Sequence, residues 1–172
     1  MSKITPEDLE RNFNLLRYEP EKYLAMAEEL VRADPDSPAG YWSRYQAREK
    51  LQQYELALAD LDKVISLEPP QWIVYECRGN VLRALGRYQD ALEDFNRAEA
   101  IDPVDWNGGF GHLFRADCHA RLGNEKAALE DCAALRDDHW TPGLLGAPAG
   151  DKVQVAAAIR HLAAKARRPR LV

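Results

Sequence analysis

The sequence predicts an all-α protein, an α-solenoid in which antiparallel helix pairs stack into a superhelix and a last helix caps the array. Three observations predict it. Residues 41–69 and 75–103 align without a gap at an offset of 34 residues, and self-similarity at such a period marks stacked supersecondary units. Within each copy the apolar residues recur at three- and four-residue steps, as in Tyr88, Ala91, Leu92, Phe95, Ala98 and Ile101, which is the spacing of one helical face. No alternating run of useful strand length interrupts them.

The elements follow in order. Thr5-Pro6-Glu7-Asp8 offers a capping hydroxyl, a proline for the first turn and acids at the positive end of the helix dipole. Pro20 opens a second helix in the same way, so 4–37 reads as a helical hairpin. Pro35, Pro69 and Pro103 each follow an acid and stop the second helix of a pair, because proline cannot continue the hydrogen-bond ladder. Gly86 and Gly123 sit where the chain reverses between the helices of a pair, and Gln52 takes that place in 38–71. The pairs are expected over 38–71, 72–105 and 109–142. Three residues are inserted before the last, within the glycine-rich stretch 105–111, which is expected to loop out. Residues 140–150 read as a further loop. Asp151 then caps a closing helix over 151–167, with Val153, Ala156, Ala157, Ile159 and Leu162 as its apolar stripe.

The residues at fixed places in these copies carry a resemblance. Gly79, Leu82, Gly86, Tyr88, Ala91, Phe95, Ala98 and Pro103 in 72–105, and Ala116, Gly123, Ala128 and Cys132 in 109–142, resemble the tetratricopeptide repeat (TPR). Residues 38–71 depart from it, with Tyr45 in a slot for a small residue and Gln52 for the turn glycine. Residues 4–37 depart further, with Arg11 and Tyr23 in small-residue slots. End repeats diverge because one face meets solvent. The resemblance implies one TPR domain over 1–172 and a concave groove lined by the first helix of each pair. It places on that groove Asp8, Asn12 and Leu15; Ala39, Trp42, Gln46, Glu49 and Lys50; Ile73, Glu76, Asn80, Arg83 and Ala84; and Phe110, Leu113, Asp117, Ala120 and Arg121. Trp42, Ile73, Phe110 and Leu113 would anchor an apolar segment, while Asn12, Gln46, Asn80 and Asp117 form a polar column suited to an extended backbone. Trp42 and Phe110 also fit a second reading, as core aromatics under neighbouring helices. One family function fails on the residues: the cationic clamp that grips an acidic carboxy terminus would fall on Trp42, Gln46, Cys77, Phe110 and Phe114, none of which is basic.

Charge and composition narrow the function classes. The chain carries −5 overall; residues 151–172 hold six Lys/Arg against Asp151, which leaves −10 on residues 1–150. An acidic body does not suit a phosphate backbone, so no nucleic acid is expected. No apolar stretch reaches the roughly 18 residues of a membrane-spanning helix, and the polar MSKITPEDLERN start does not read as a secretory signal, so a cytoplasmic location and no membrane are expected. Cys77, Cys118 and Cys132 lack paired spacing and read as small core side chains. His112 and His119 stand seven apart, about 10 Å by helix rise, too far for two ligands of one metal. No phosphate loop, GxSxG or HExxH motif is present, and no cofactor or catalysis is expected. The leading expectation is a module that binds a peptide or protein partner in the groove. A dedicated small chaperone or immunity-type protein for one, basic, client is a second reading. A self-association module pairing through 4–37, as a homo-dimer, is a third.

Overall fold

The computed structural model describes residues 6–69, 71–108, 110–135, 144 and 150–168, without the side chains of 6–10, 107 and 108. The described residues are helical apart from turns and short connections. They divide into two compact units, Met1–Pro70 and Gln71–Val172, where the sequence is read as one array.

The first unit holds α1 (Pro6–Tyr18), α2 (Pro20–Ala33), α3 (Pro38–Lys50) and α4 (Tyr54–Leu67). Each of α1, α2 and α3 begins at a proline, whose fixed φ suits the first turn and whose missing N–H is no loss there. Tyr23 and Ala27 of α2, Tyr45 and Ala47 of α3, and Ala57, Leu61 and Val64 of α4 form its buried apolar interior. The second unit holds α5 (Trp72–Ala84), α6 (Tyr88–Ile101), α7 (Pro103–Gly108), α8 (Gly111–Arg121), α9 (Glu125–Ala134) and α10 (Lys152–Ala166). α5 pairs with α6, α8 with α9, and α10 covers α8 and α9.

The reversals α3–α4, α5–α6 and α8–α9 share one geometry. Gln53, Arg87 and Asn124 donate their N–H to the carbonyls of Arg48, Leu82 and His119 at 2.8–2.9 Å, closing the same wide loop at each helix end. That loop needs a left-handed residue. Gly86 and Gly123 supply it at φ 76° and 79°, and Gln52 supplies it at φ 58° despite its Cβ.

Two expectations are corrected. The inserted stretch does not simply loop out. Pro103 both stops α6 and opens α7, Asp102 Oδ1 accepts the N–H groups of Val104 and Asp105 at 3.1 Å, and α7 drives Trp106 fully into the interior. Its indole lies 5.7 Å from the Phe95 ring and directly on Gly111, where a Cβ would come within 2.5 Å of the ring. The stripe of α10 also differs. Asp151 caps it, with Gln154 completing a reciprocal box at 2.9 Å, but the buried positions are Val155, Ile159 and Ala163. Val153 and Ala157 face solvent, because a four-residue step keeps a straight helix on one line of contact with α8 and α9. The loop 140–150 lies outside the described residues except for Leu144 and Gly150, both buried.

Candidate functional site

The first helices of the pairs carry most of the expected groove residues, and the two units treat them differently. In the first unit, Trp42, Gln46 and Glu49 stand on one face of α3 at steps of four and three, all half-buried. The Trp42 ring lies 5.2 Å from that of Tyr45. The Tyr23 hydroxyl donates to Gln46 Oε1, and the Tyr45 hydroxyl to Glu49 Oε2, each at 3.3 Å. Gln46 and Glu49 line a cleft of about 530 Å³, together with Phe13 and Leu16 of α1, Tyr45 and Tyr54. That volume is within the range of ligand clefts. Asn12 of α1 is half-buried, and its Oδ1 is covered and meets no hydrogen-bond partner. The side chain of Asp8 lies outside the described residues.

Sequence reasoning passed over Phe13, which is 61% exposed beside this cleft. The signal was its three-residue step to Leu16, which puts two large apolar groups on one side of α1.

In the second unit, α5 presents Ile73, Glu76, Asn80 and Arg83, all half-buried. Arg83 Nη1 donates to Asp117 Oδ2 at 2.8 Å, and Arg121 Nε donates to Asp117 Oδ1 at 2.9 Å. Arg121 also reaches the Tyr88 hydroxyl at 3.4 Å, and the Arg83 guanidinium lies 4.7 Å from the centre of the Phe114 ring. Phe110 is 38% exposed and flanks Phe114 at 6.1 Å. Three polar atoms of α5 are covered and unpartnered: Glu76 Oε2, Asn80 Oδ1 and Arg83 Nε. Burial pushes the Glu76 carboxyl up to about 7, since removing water penalises its charged form.

Leu113 and Asp117 do not lie open as the sequence reading placed them. Leu113 is fully buried, with Ala116, Ala120, Val155 and Ile159, because α10 occupies that side of α8. Asp117 is fully buried between its two arginines.

The structure adds a set of polar pairs that the sequence analysis does not predict. Arg44, Arg78 and Arg115 each bind an aspartate sixteen residues later, Asp60, Asp94 and Asp131, at 2.7 Å. The aspartates are buried and take two or more hydrogen bonds. Their signal in the sequence is the recurrence of Arg and Asp at the same places in each pair, which apolar periodicity does not display. In the third pair His112 adds its Nδ1 to Asp131 at 3.0 Å. Burial pushes the Asp131 carboxyl up, but His112 and Arg115 outweigh it and hold it below its ordinary range.

His119 of the same helix is half-buried, and burial lowers its pKa. Burial, with the nearby Asp117, pushes the Cys118 thiol up to about 12, so it is a core side chain rather than a nucleophile. Among the described residues no three His, Cys, Asp or Glu side chains converge as metal ligands, and no helix is long and apolar enough to cross a membrane.

Residues 72–103 match the family model of the tetratricopeptide repeat. No curated protein matches the chain by sequence. Among solved structures, the chain is similar to YrrB, a TPR protein with an unusual peptide-binding site, at a TM-score of 0.62 and 21% identity over 72% of this chain and 62% of that one. MamA from Desulfovibrio magneticus RS-1 gives a TM-score of 0.65 and 21% identity over 77% of this chain and 75% of its own. The C-terminal part of a TPR repeat-containing protein from Cytophaga hutchinsonii gives 0.66 and 17% identity over 91% of this chain and 60% of that one. The chain thus spans about three fifths of the YrrB and Cytophaga chains. At these identities the likeness is one of fold.

Proposed function

We propose that this chain, a tetratricopeptide-repeat protein with the fold of protein-interaction scaffolds, binds an extended polypeptide segment against the first helices of its pairs. The observation that carries the reading is the half-buried polar row that these helices present, Gln46 and Glu49 on α3 in the first unit and Glu76 and Asn80 on α5 in the second. Amide side chains of this kind can donate to the carbonyls of an extended peptide, and the carboxylates can accept from its N–H groups. The 530 Å³ cleft beside Gln46 supports the same reading, since its Phe13, Tyr45 and Tyr54 rings offer an apolar wall next to amide and carboxylate groups. The second unit adds Phe110 and Ile73 beside its polar row. Asp117 enters this reading as a positioning residue, because it fixes Arg83 rather than meeting the ligand.

The test is binding of a random displayed-peptide library to the whole chain, with Asn80→Ala and Gln46→Ala variants in parallel. Binders that lose about tenfold or more in affinity on the variants, with helicity by circular dichroism unchanged, are the expected result. Binders indifferent to both substitutions would move the interaction to another face.

A further inference from the structure

The α5–α8 face of the second unit is electrostatically unbalanced at one residue. Asp117 is compensated twice over, with one arginine on each carboxylate oxygen. Glu76 stands seven residues before Arg83 on α5 and has no ion-pair or hydrogen-bond partner among the described residues; its Oε2 is covered, and the half-buried side chain keeps Oε1 open to an incoming group. Its raised pKa follows from burial alone, the behaviour of a carboxylate that has lost water and gained no cation. Asn80 Oδ1, one turn along the same face, is covered and unpartnered as well.

We propose that Glu76 receives a lysine or arginine side chain of the bound segment, so that this face selects a basic residue at one position of its partner. The inference rests on the polypeptide-binding reading above and specifies the chemistry of the segment. A partly desolvated carboxylate gains most from an ammonium or guanidinium group, which brings both a charge and N–H donors. An apolar or acidic side chain at the same place leaves the carboxylate uncompensated or repels it. Asn80, whose Oδ1 is covered, would meet the main chain beside that basic residue through its Nδ2, donating to a carbonyl. Arg83 and Arg121 are already committed to Asp117, so the face offers an acidic side chain far less than it offers a basic one. The −10 excess on residues 1–150 steers a basic segment toward the protein before contact.

The experiment pans the whole chain against a random nonapeptide display library at pH 8, where Glu76 is ionised. Enriched peptides are resynthesised with each Lys or Arg replaced by Gln. One basic position is expected to recur, and its replacement to weaken binding at least about tenfold. Glu76→Gln should erase that difference between the paired peptides, and Glu76→Lys should turn the preference toward an acidic residue. Should Glu76→Lys fail to fold, Glu76→Gln, which keeps the shape of the side chain, decides alone. Binders that weaken on Asn80→Ala but show no basic position, or keep their basic preference on Glu76→Gln, would overturn the inference and leave the polypeptide-binding reading intact. A library that yields no binder to the folded chain overturns both.

Discussion

The pair α3–α4 and the pair α5–α6 have the same length, the same reversal and the same Arg–Asp bond, yet they fill their interiors in opposite ways. In α5–α6 the first helix contributes Gly79 and the second Phe95, which is fully buried. In α3–α4 the matching places hold Tyr45 and Leu61, both buried. The aromatic ring comes from the second helix in one pair and from the first in the other, so either helix can supply the bulk between them. The polar bond, by contrast, runs the same way in both pairs, with Arg on the first helix and Asp on the second.

The largest effect should therefore come from the shared bond. Asp94→Ala leaves Arg78 without its carboxylate in a buried setting, and Asp60→Ala does the same to Arg44 and Arg48. Each is expected to lower stability by about 3–5 kcal/mol in urea unfolding, and a loss below ~1 kcal/mol would show the bond to be ornamental. Gly79→Ala comes next. Its Cβ would lie 2.6 Å from Phe95 Cε1, so a loss of about 1–3 kcal/mol is expected, most of it recovered in Gly79→Ala/Phe95→Leu. If the second substitution recovers nothing, the clash with the Phe95 ring is not the source of the loss.

Glu76 distinguishes the pairs electrostatically. A carboxyl whose folded pKa is raised to about 7 disfavours the folded state above that pH, and this penalty fades as pH falls through 7 toward the ordinary carboxylate range. Glu76→Gln should raise the midpoint of thermal unfolding at pH 8, by about 1–2 kcal/mol of stability once solvent screening of a partly exposed group is allowed for. The advantage should shrink at pH 5; an equal gain at both pH values would trace it to packing instead. The smallest effect belongs to the reversal. Gln52→Gly should stabilise α3–α4 by about 1 kcal/mol, and Gly86→Gln should destabilise α5–α6 by a similar amount. Calorimetry that finds both changes neutral would mean that the left-handed turn carries no strain.

These pairs also show which features a sequence displays. The reversal at Gly86 and Gly123, the prolines at helix starts and the Asp151 cap were legible because each acts within a few residues of itself. Gln52 was legible by register alone: only alignment with Gly86 reveals that it occupies a glycine place. Trp106 was not, since nothing near it in sequence says that an aromatic among glycines will turn inward on Phe95 and Gly111. The stripe of α10 was mistaken because Val153, Val155, Ala156 and Ala157 allow several helical faces, and contact with α8 and α9 chooses among them. The motif places Leu113 and Asp117 on the groove by position alone, whereas α10 covers Leu113 and the side chains of Arg83 and Arg121 close over Asp117. The uncompensated state of Glu76 was beyond reach for a related reason: its lack of a partner depends on where the arginines of α5 and α8 spend their donors.

The sixteen-residue spacing of the Arg–Asp bonds has a consequence for how the chain acquires its shape. Every such pair joins neighbours in sequence, so the entropy lost in closing each loop is nearly the same from pair to pair and does not grow with the length of the protein. A topology held by contacts this short has a low contact order, which places its folding toward the fast end of the range for single domains. During synthesis, each arginine waits only sixteen more residues for its counter-charge, whatever remains to be translated.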